Sequence, residues 1–287
     1  MPLRKQKHQD PKPIEVPEHI KEEVEEKQVQ ERVAIGAHVV HETIRREGEE
    51  ELKRTTSALA WSGFAAGLSM GFSLVAEGLL QAYLPDAHWT PLLSKLGYSV
   101  GFLIVVLGRQ QLYTETTLTA VLPLLSKRNA ETGIATLRLW GIVLAANIVG
   151  TYLFALCVAK VPIFSQHIQE SLVKVSFGGT EGSFGVIFMR AVFAGWLIAL
   201  MVWLLPAAES AKVSIIIITT YLIGLGGFNH VIAGSVKTLF LVVSGSITAS
   251  DYWLRFFAPT LLGNIVGGVS LVAFLGHAQV VAGKDAN

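Results

Sequence analysis

The sequence predicts an all-α integral membrane protein with six transmembrane spans in two inverted three-span repeats, spans 2 and 5 being broken. Three observations carry that prediction. The first is composition: of 287 residues, 51% are hydrophobic and 16% charged, and mean hydropathy is +0.49, whereas soluble domains carry about 25% charged residues. The second is placement: residues 1–55 hold 11 of the 23 Lys+Arg and 13 of the 22 Asp+Glu, so a short polar head precedes a long apolar body. The third is an internal echo. Asn147-Ile148-Val149-Gly150 recurs as Asn264-Ile265-Val266-Gly267, 117 residues later, and the interruptions at Gly108 and Gly226 lie 118 apart. A repeated unit of three spans, an odd number, must cross the bilayer in opposite senses in its two copies.

The head divides in two. Met1–Pro17 contains four prolines and many charges and reads as disordered. From Glu18 to Arg54 the chain is rich in Glu, Lys and Arg, with apolar Ile20, Val24, Val29, Val33, Val40 and Ile44 forming a rough helical stripe. Two readings stand: a solvated linker helix, or a helix lying on the membrane face or a neighbouring subunit, where it would gate access. The domain reading is a charged N-terminal segment over 1–55, a six-span transporter domain over 56–280 and a short C-terminal tail over 281–287.

In the body, Ala58–Tyr83, Leu139–Ala159, Val186–Leu205 and Trp253–Leu275 approach or exceed the roughly 20 residues that cross the hydrocarbon. Leu96–Leu107 and Thr116–Leu125 are too short to span singly, at about 18 and 15 Å, and flank the polar run Gly108–Glu115. Val213–Leu225 and Val231–Val243 repeat the arrangement around Gly226–His230. Non-helical backbone at membrane depth survives only where protein or a water-filled cavity surrounds it, and paired broken segments in two halves point to a transport site.

Orientation follows from basic residues in short loops. With the head inside, its basic residues are joined by Lys127, Arg128, Lys212 and Lys284, against Lys95, Lys160 and Lys174 outside. The protein is therefore expected in the plasma (inner) membrane, multi-pass, with both termini cytoplasmic. The composition argues against a secreted disulfide scaffold, a nucleic-acid partner and a soluble enzyme. The single cysteine, Cys157, lies in an apolar run, and net charge is +1. No early apolar stretch reads as a signal peptide. No metal-ligand cluster, nucleophile elbow or phosphate loop is legible, so neither catalysis nor a cofactor or metal is expected.

Of eight histidines, His230 alone falls in the middle of an apolar span, at the second break. An ionisable group at that depth is a functional candidate, though a helix-packing hydrogen bond would also account for it. In an inverted repeat the two breaks meet at the pore centre, which makes Thr114 its natural partner.

Gln111-Leu112-Tyr113-Thr114, Gly227-Phe228-Asn229-His230 and Gly263-Asn264-Ile265-Val266-Gly267-Gly268 resemble the formate/nitrite transporter family over about residues 57–278. The resemblance implies an aquaporin-like fold, a homopentamer with one pore per subunit, and a pore threonine and histidine at Thr114 and His230, beside Gln111 and Asn229. It places apolar constrictions at Tyr98, Phe102, Leu112, Tyr113, Val202 and Ile223. Gln111 and Asn229 stand where the family carries acidic residues, Ser183 where it has a lysine ahead of span 4, and Ala199 where it has an asparagine. Arg109, Arg190 and Lys237 become the candidates for attracting the anion, the alternative for each being a salt bridge within the bundle, as with Glu77 or Glu115.

The permeant implied is a small monovalent anion, such as a monocarboxylate or nitrite, together with a proton. Moving a bare carboxylate through a dry constriction costs several to tens of kcal/mol; protonating an acid of pKa about 4 at pH 7 costs about 4 kcal/mol. The neutral acid is the cheaper form to move. Two rival expectations remain: a non-transporting docking protein that recruits a partner through its head, and a channel for neutral small solutes.

Overall fold

The computed structural model describes residues 36–274, which are helical with no strand among them. Helix α1, Ala37–Lys53, turns Val40, His41, Ile44 and Gly48 inward. Its solvent side is laced by Arg45, which reaches Glu42 at 2.8 Å and Glu49 at 2.7 Å. Hydrogen bonds from Arg45 and then Arg46 hold the Glu42 carboxyl down at about 2. Glu49 also meets Lys127 at 2.9 Å, and Arg138 donates to the carbonyls of Leu52 and Arg54 at 3.0 and 2.8 Å, fastening the helix end. The expected helix over residues 18–54 is thus seen from Ala37 onward; its earlier part, Met1–Pro17 and the tail 281–287 lie outside the described residues.

Thr55 caps the next helix, accepting from the Ala58 N–H. The spans follow: α2 Thr56–Tyr83; α3 Thr90–Ser94, running through a 3-10 turn at Lys95–Gly97 into α4 Tyr98–Leu107; α5 Tyr113–Thr119 and α6 Val121–Lys127; and α7 Ala130–Lys160. After the connecting helix α8, Gln166–Ser176, come α9 Phe184–Leu204, α10 Lys212–Leu225, α11 Val231–Val243 and a last span over 251–274. That last span is π-helical at both ends around α12, Ala258–Ile265. The first half of span 2 begins at Thr90, making it 18 residues long rather than 12. Pro91 in its first turn starts it early, and Lys95 is tolerated within it because the ammonium is paired with Glu77.

Packing repeats between the halves. Helix α2 lies along α7 and α4, as α9 lies along α12 and α10. Each second half-helix crosses to the other repeat: α5 packs on α9 and the end of the last span, α11 on α2 and α7. These pairings are consistent with a duplicated three-span unit.

The glycines of the recurring Asn-Ile-Val-Gly let these helices approach closely. A Cβ on Gly150 would sit 2.5 Å from the Phe64 carbonyl oxygen, and one on Gly267 2.1 Å from that of Val192. Backbone cannot yield as a flexible side chain does, so Gly150→Val or Gly267→Val should separate the paired helices. We expect destabilisation of at least about 1–3 kcal/mol, read as a lowered thermal midpoint in detergent; an unchanged midpoint would show that the crossing has slack.

Candidate pore site

The two breaks have the same backbone construction. Arg109 adopts φ 51° and Gly227 φ 62°, at positions 118 apart, and α5 and α11 restart at Tyr113 and Val231 with the same offset. Asn147 and Asn264 hold them. Asn147 Oδ1 accepts from the Tyr113 N–H at 2.9 Å, while Nδ2 donates to the carbonyls of Gly63 at 2.7 Å and Gln111 at 2.9 Å. Asn264 Oδ1 accepts from the Val231 N–H at 2.8 Å, and its Nδ2 donates to Ala191 and Asn229 carbonyls, both at 2.8 Å. Backbone groups freed by a break at membrane depth must find partners within the protein, and each asparagine supplies three. The recurring tetrapeptide marked duplication in the sequence, but the asparagines' work depends on partners 33 to 84 residues away, which no local pattern displays.

At the centre Thr114 Oγ1 meets His230 Nε2 at 2.7 Å, with both side chains buried. The other ring nitrogen, Nδ1, accepts from the Ala233 N–H at 3.1 Å and caps α11. An acceptor at Nδ1 puts the proton of the neutral ring on Nε2, which donates to Thr114 and leaves the threonine's own hydroxyl proton free to point elsewhere. Phe102 stands edge-on to the imidazole, centroids 5.0 Å apart, and Tyr98 lies 5.4 Å beyond Phe102. His230 occupies the repeat position of Leu112, so one backbone scaffold carries an imidazole in one half and an isobutyl group in the other.

A cavity of about 650 Å³ opens from the side of α1 toward this centre, lined by residues that include Glu51, Arg109, Gln111, Leu112, Glu115 and Val202. Leu112, Tyr113, Phe102, Tyr98 and Ile223 are buried; Val202 is half-buried on the cavity wall. Glu51, absent from the sequence-based site, reaches in from α1. Its carboxylate accepts from Gln111 Nε2 at 3.0 Å and from the Thr119 hydroxyl at 2.6 Å. Burial, reinforced by Glu47, pushes this carboxyl up despite those donors and Arg54. Asn229 is buried at the second break and donates to the Gly179 carbonyl at 2.7 Å. Ser183 caps α9 by accepting from the Val186 N–H.

The three candidate cations are dispersed. Arg109 is exposed on the cavity, Arg190 is half-exposed with its guanidinium on the Glu181 carbonyl at 2.9 Å, and Lys237 is buried against Glu77.

The formate/nitrite transporter profile matches residues 38–278. The chain belongs to the formate/nitrite transporter family. It is 44% identical over 268 residues to the inner membrane protein YfdC of Escherichia coli, covering 93% of this chain and 86% of that one. It is 27% identical over 243 residues to the formate channel BtFdhC of Bacillus thuringiensis, covering 82% and 92%. Among solved structures, a pentameric formate channel with formate bound matches with a TM-score of 0.66 at 21% identity, covering 83% of this chain and 99% of that one. An ion channel of the same family matches at 0.70 and 18%, covering 85% and 98%. This family member is a multi-pass membrane channel or transporter for small anions, not an enzyme.

Arg109 holds a left-handed conformation that its repeat counterpart gives to glycine, and an outlier at such a place is a lead to function. Arg109→Gly should leave stability within about 1 kcal/mol, since relief of left-handed strain offsets glycine's chain entropy. Anion capture from the cavity side should weaken. Unaltered initial flux from that side, in oriented vesicles, would leave the side chain without a role in capture.

Proposed function

We propose that this transporter carries a small monocarboxylate or similar monovalent anion across the plasma membrane by handing it a proton at His230. The observation that carries the reading is the 2.7 Å bond between Thr114 and His230, one side chain from each break, beneath the ring of Phe102. Once the ring takes up a second proton at Nδ1, giving up its bond from the Ala233 N–H, Nε2 passes its proton to the Thr114 oxygen while the threonine's own hydroxyl proton goes to the arriving anion. An O–H bond forms on the substrate, an N–H bond breaks on the ring, and the ring returns to neutral. The neutral acid then passes Phe102, Tyr113 and Leu112, where the bare anion would be held back by desolvation. That relatives include a formate channel supports formate as the first substrate to try.

We also propose that 56–280 is the transporter domain, that both termini are cytoplasmic, and that five subunits assemble with separate pores. The bias of basic residues supports the orientation. The pentamer is supported by the fold's likeness to a pentameric channel. Light scattering in mild detergent should give a protein mass of five chains; a monomer or a dimer overturns that part.

Formate uptake into proteoliposomes, measured across pH, tests the mechanism. Wild type should transport faster at acid pH. His230→Asn keeps a polar group of similar reach and removes the titratable proton, so the acid-dependent component should vanish while assembly persists. Thr114→Val keeps shape and removes the hydroxyl, lowering flux by about 10²–10⁴-fold if the proton passes through it without moving the pH profile. A His230→Asn variant with the wild-type pH profile would make His230 a packing residue.

A further inference from the structure

On the side of His230 away from the α1 cavity, α2, the turn before α4, and α11 bring three charges together. Glu77 is fully buried and gives one carboxylate oxygen to Lys95 and the other to Lys237. Lys237 is nearly buried too, whereas a quarter of the Lys95 side chain is exposed, so the cluster runs from the protein surface into the bundle. Lys237 Nζ also stands 5.1 Å from the centre of the Tyr98 ring. From there the aromatic column continues through Phe102 at 5.4 Å to His230 at a further 5.0 Å.

One carboxylate cannot neutralise two ammonium groups. The cluster holds one positive charge in excess, in surroundings where an unbalanced charge is costly. A passing monovalent anion would balance it, and a neutral solute or a cation would not. A second carboxylate is also the ligand this geometry is suited to, because two ammonium groups already grip one. Arg190 does not supply the same charge, since its guanidinium is turned to the Glu181 carbonyl. Ser183, at the head of the same helix, offers only a hydroxyl engaged in capping.

We propose that Lys95 and Lys237, held by Glu77, form the anion-recognition site on the far side of His230, and that their single uncompensated charge sets the preference for monovalent carboxylates. This rests on the transport reading above. Glu77 is a positioning residue, orienting both lysines and setting the net charge; the lysines contact the substrate.

The test is formate uptake by the full chain in proteoliposomes, with the outer substrate side facing the bath, at one pH and two ionic strengths. Lys95→Gln, at the rim and least demanding of the fold, should raise KM at least about threefold and flatten its salt dependence, with Vmax little changed. Lys237→Gln should do the same. Glu77→Gln, which raises the excess charge, should lower KM. The double variant Glu77→Gln with Lys95→Gln restores a single excess charge and should bring KM back toward wild type. Assembly of each variant is checked by its elution volume. If Lys95→Gln leaves KM and its salt dependence unchanged, or if all variants merely lower Vmax, the cluster is a structural salt bridge and the proposal fails. Wild type that carries no formate would overturn the transport reading itself, an outcome distinct from active wild type with indifferent variants.

Discussion

Breaking two helices inside a membrane exposes peptide groups with no water to receive them, and the rest of this fold is arranged around that constraint. Asn147 and Asn264 meet it, each accepting one N–H and donating to two carbonyls drawn from a break and from a neighbouring span. An asparagine side chain suits the task because it offers an acceptor and two donors in one plane, as a peptide group does. The glycines three residues on let the partner helix approach closely enough for those bonds to form. Loss of either asparagine would leave buried peptide groups unpaired at about 1–3 kcal/mol apiece. The constraint is local in cause and long-range in solution.

Symmetry of backbone does not extend to chemistry. Both breaks use a left-handed residue, then a restart four residues later, with an asparagine latch on each. Yet the position before the restart is Leu112 in one copy and His230 in the other. The duplicated scaffold thus carries one polar, proton-bearing group and one apolar wall at equivalent places. Thr114, two residues past Leu112, reaches across the pseudo-axis to the imidazole. The shared hydrogen bond belongs to neither repeat alone.

Much of this was legible in the residues themselves. Short apolar segments around Gly108 and Gly226 located the breaks, and a four-residue echo declared the duplication, because both are local patterns with a fixed period. Sequence alone starts the first half of span 2 at Leu96, because Ser94 and Lys95 look too polar for a membrane helix and the Glu77 that pairs with the lysine stands 18 residues earlier. Glu51 looked like one more acid of a solvated head; its bonds to Gln111 and Thr119 span 60 and 68 residues. Pairings over such separations are set by tertiary geometry, and periodicity carries no trace of them.

The two approaches to the central histidine differ in electrical character. On the cavity side carboxyl groups outnumber cations among the lining residues: Glu47, Glu50, Glu51, Glu115 and Glu209 against Arg54, Arg109 and Lys212. On the opposite side the Glu77 cluster has ammonium groups in excess. Burial pushes the Glu51 carboxyl up toward its neutral form, so acids and bases on the cavity side come close to balance, and an anion is drawn more strongly from the side of the two lysines. Half-saturating concentrations on the two faces would differ, and the limiting rates would differ in compensation, because detailed balance forbids a passive pore from favouring either direction at equilibrium. Such a pore fills at lower anion concentration from the face that carries the two ammonium groups.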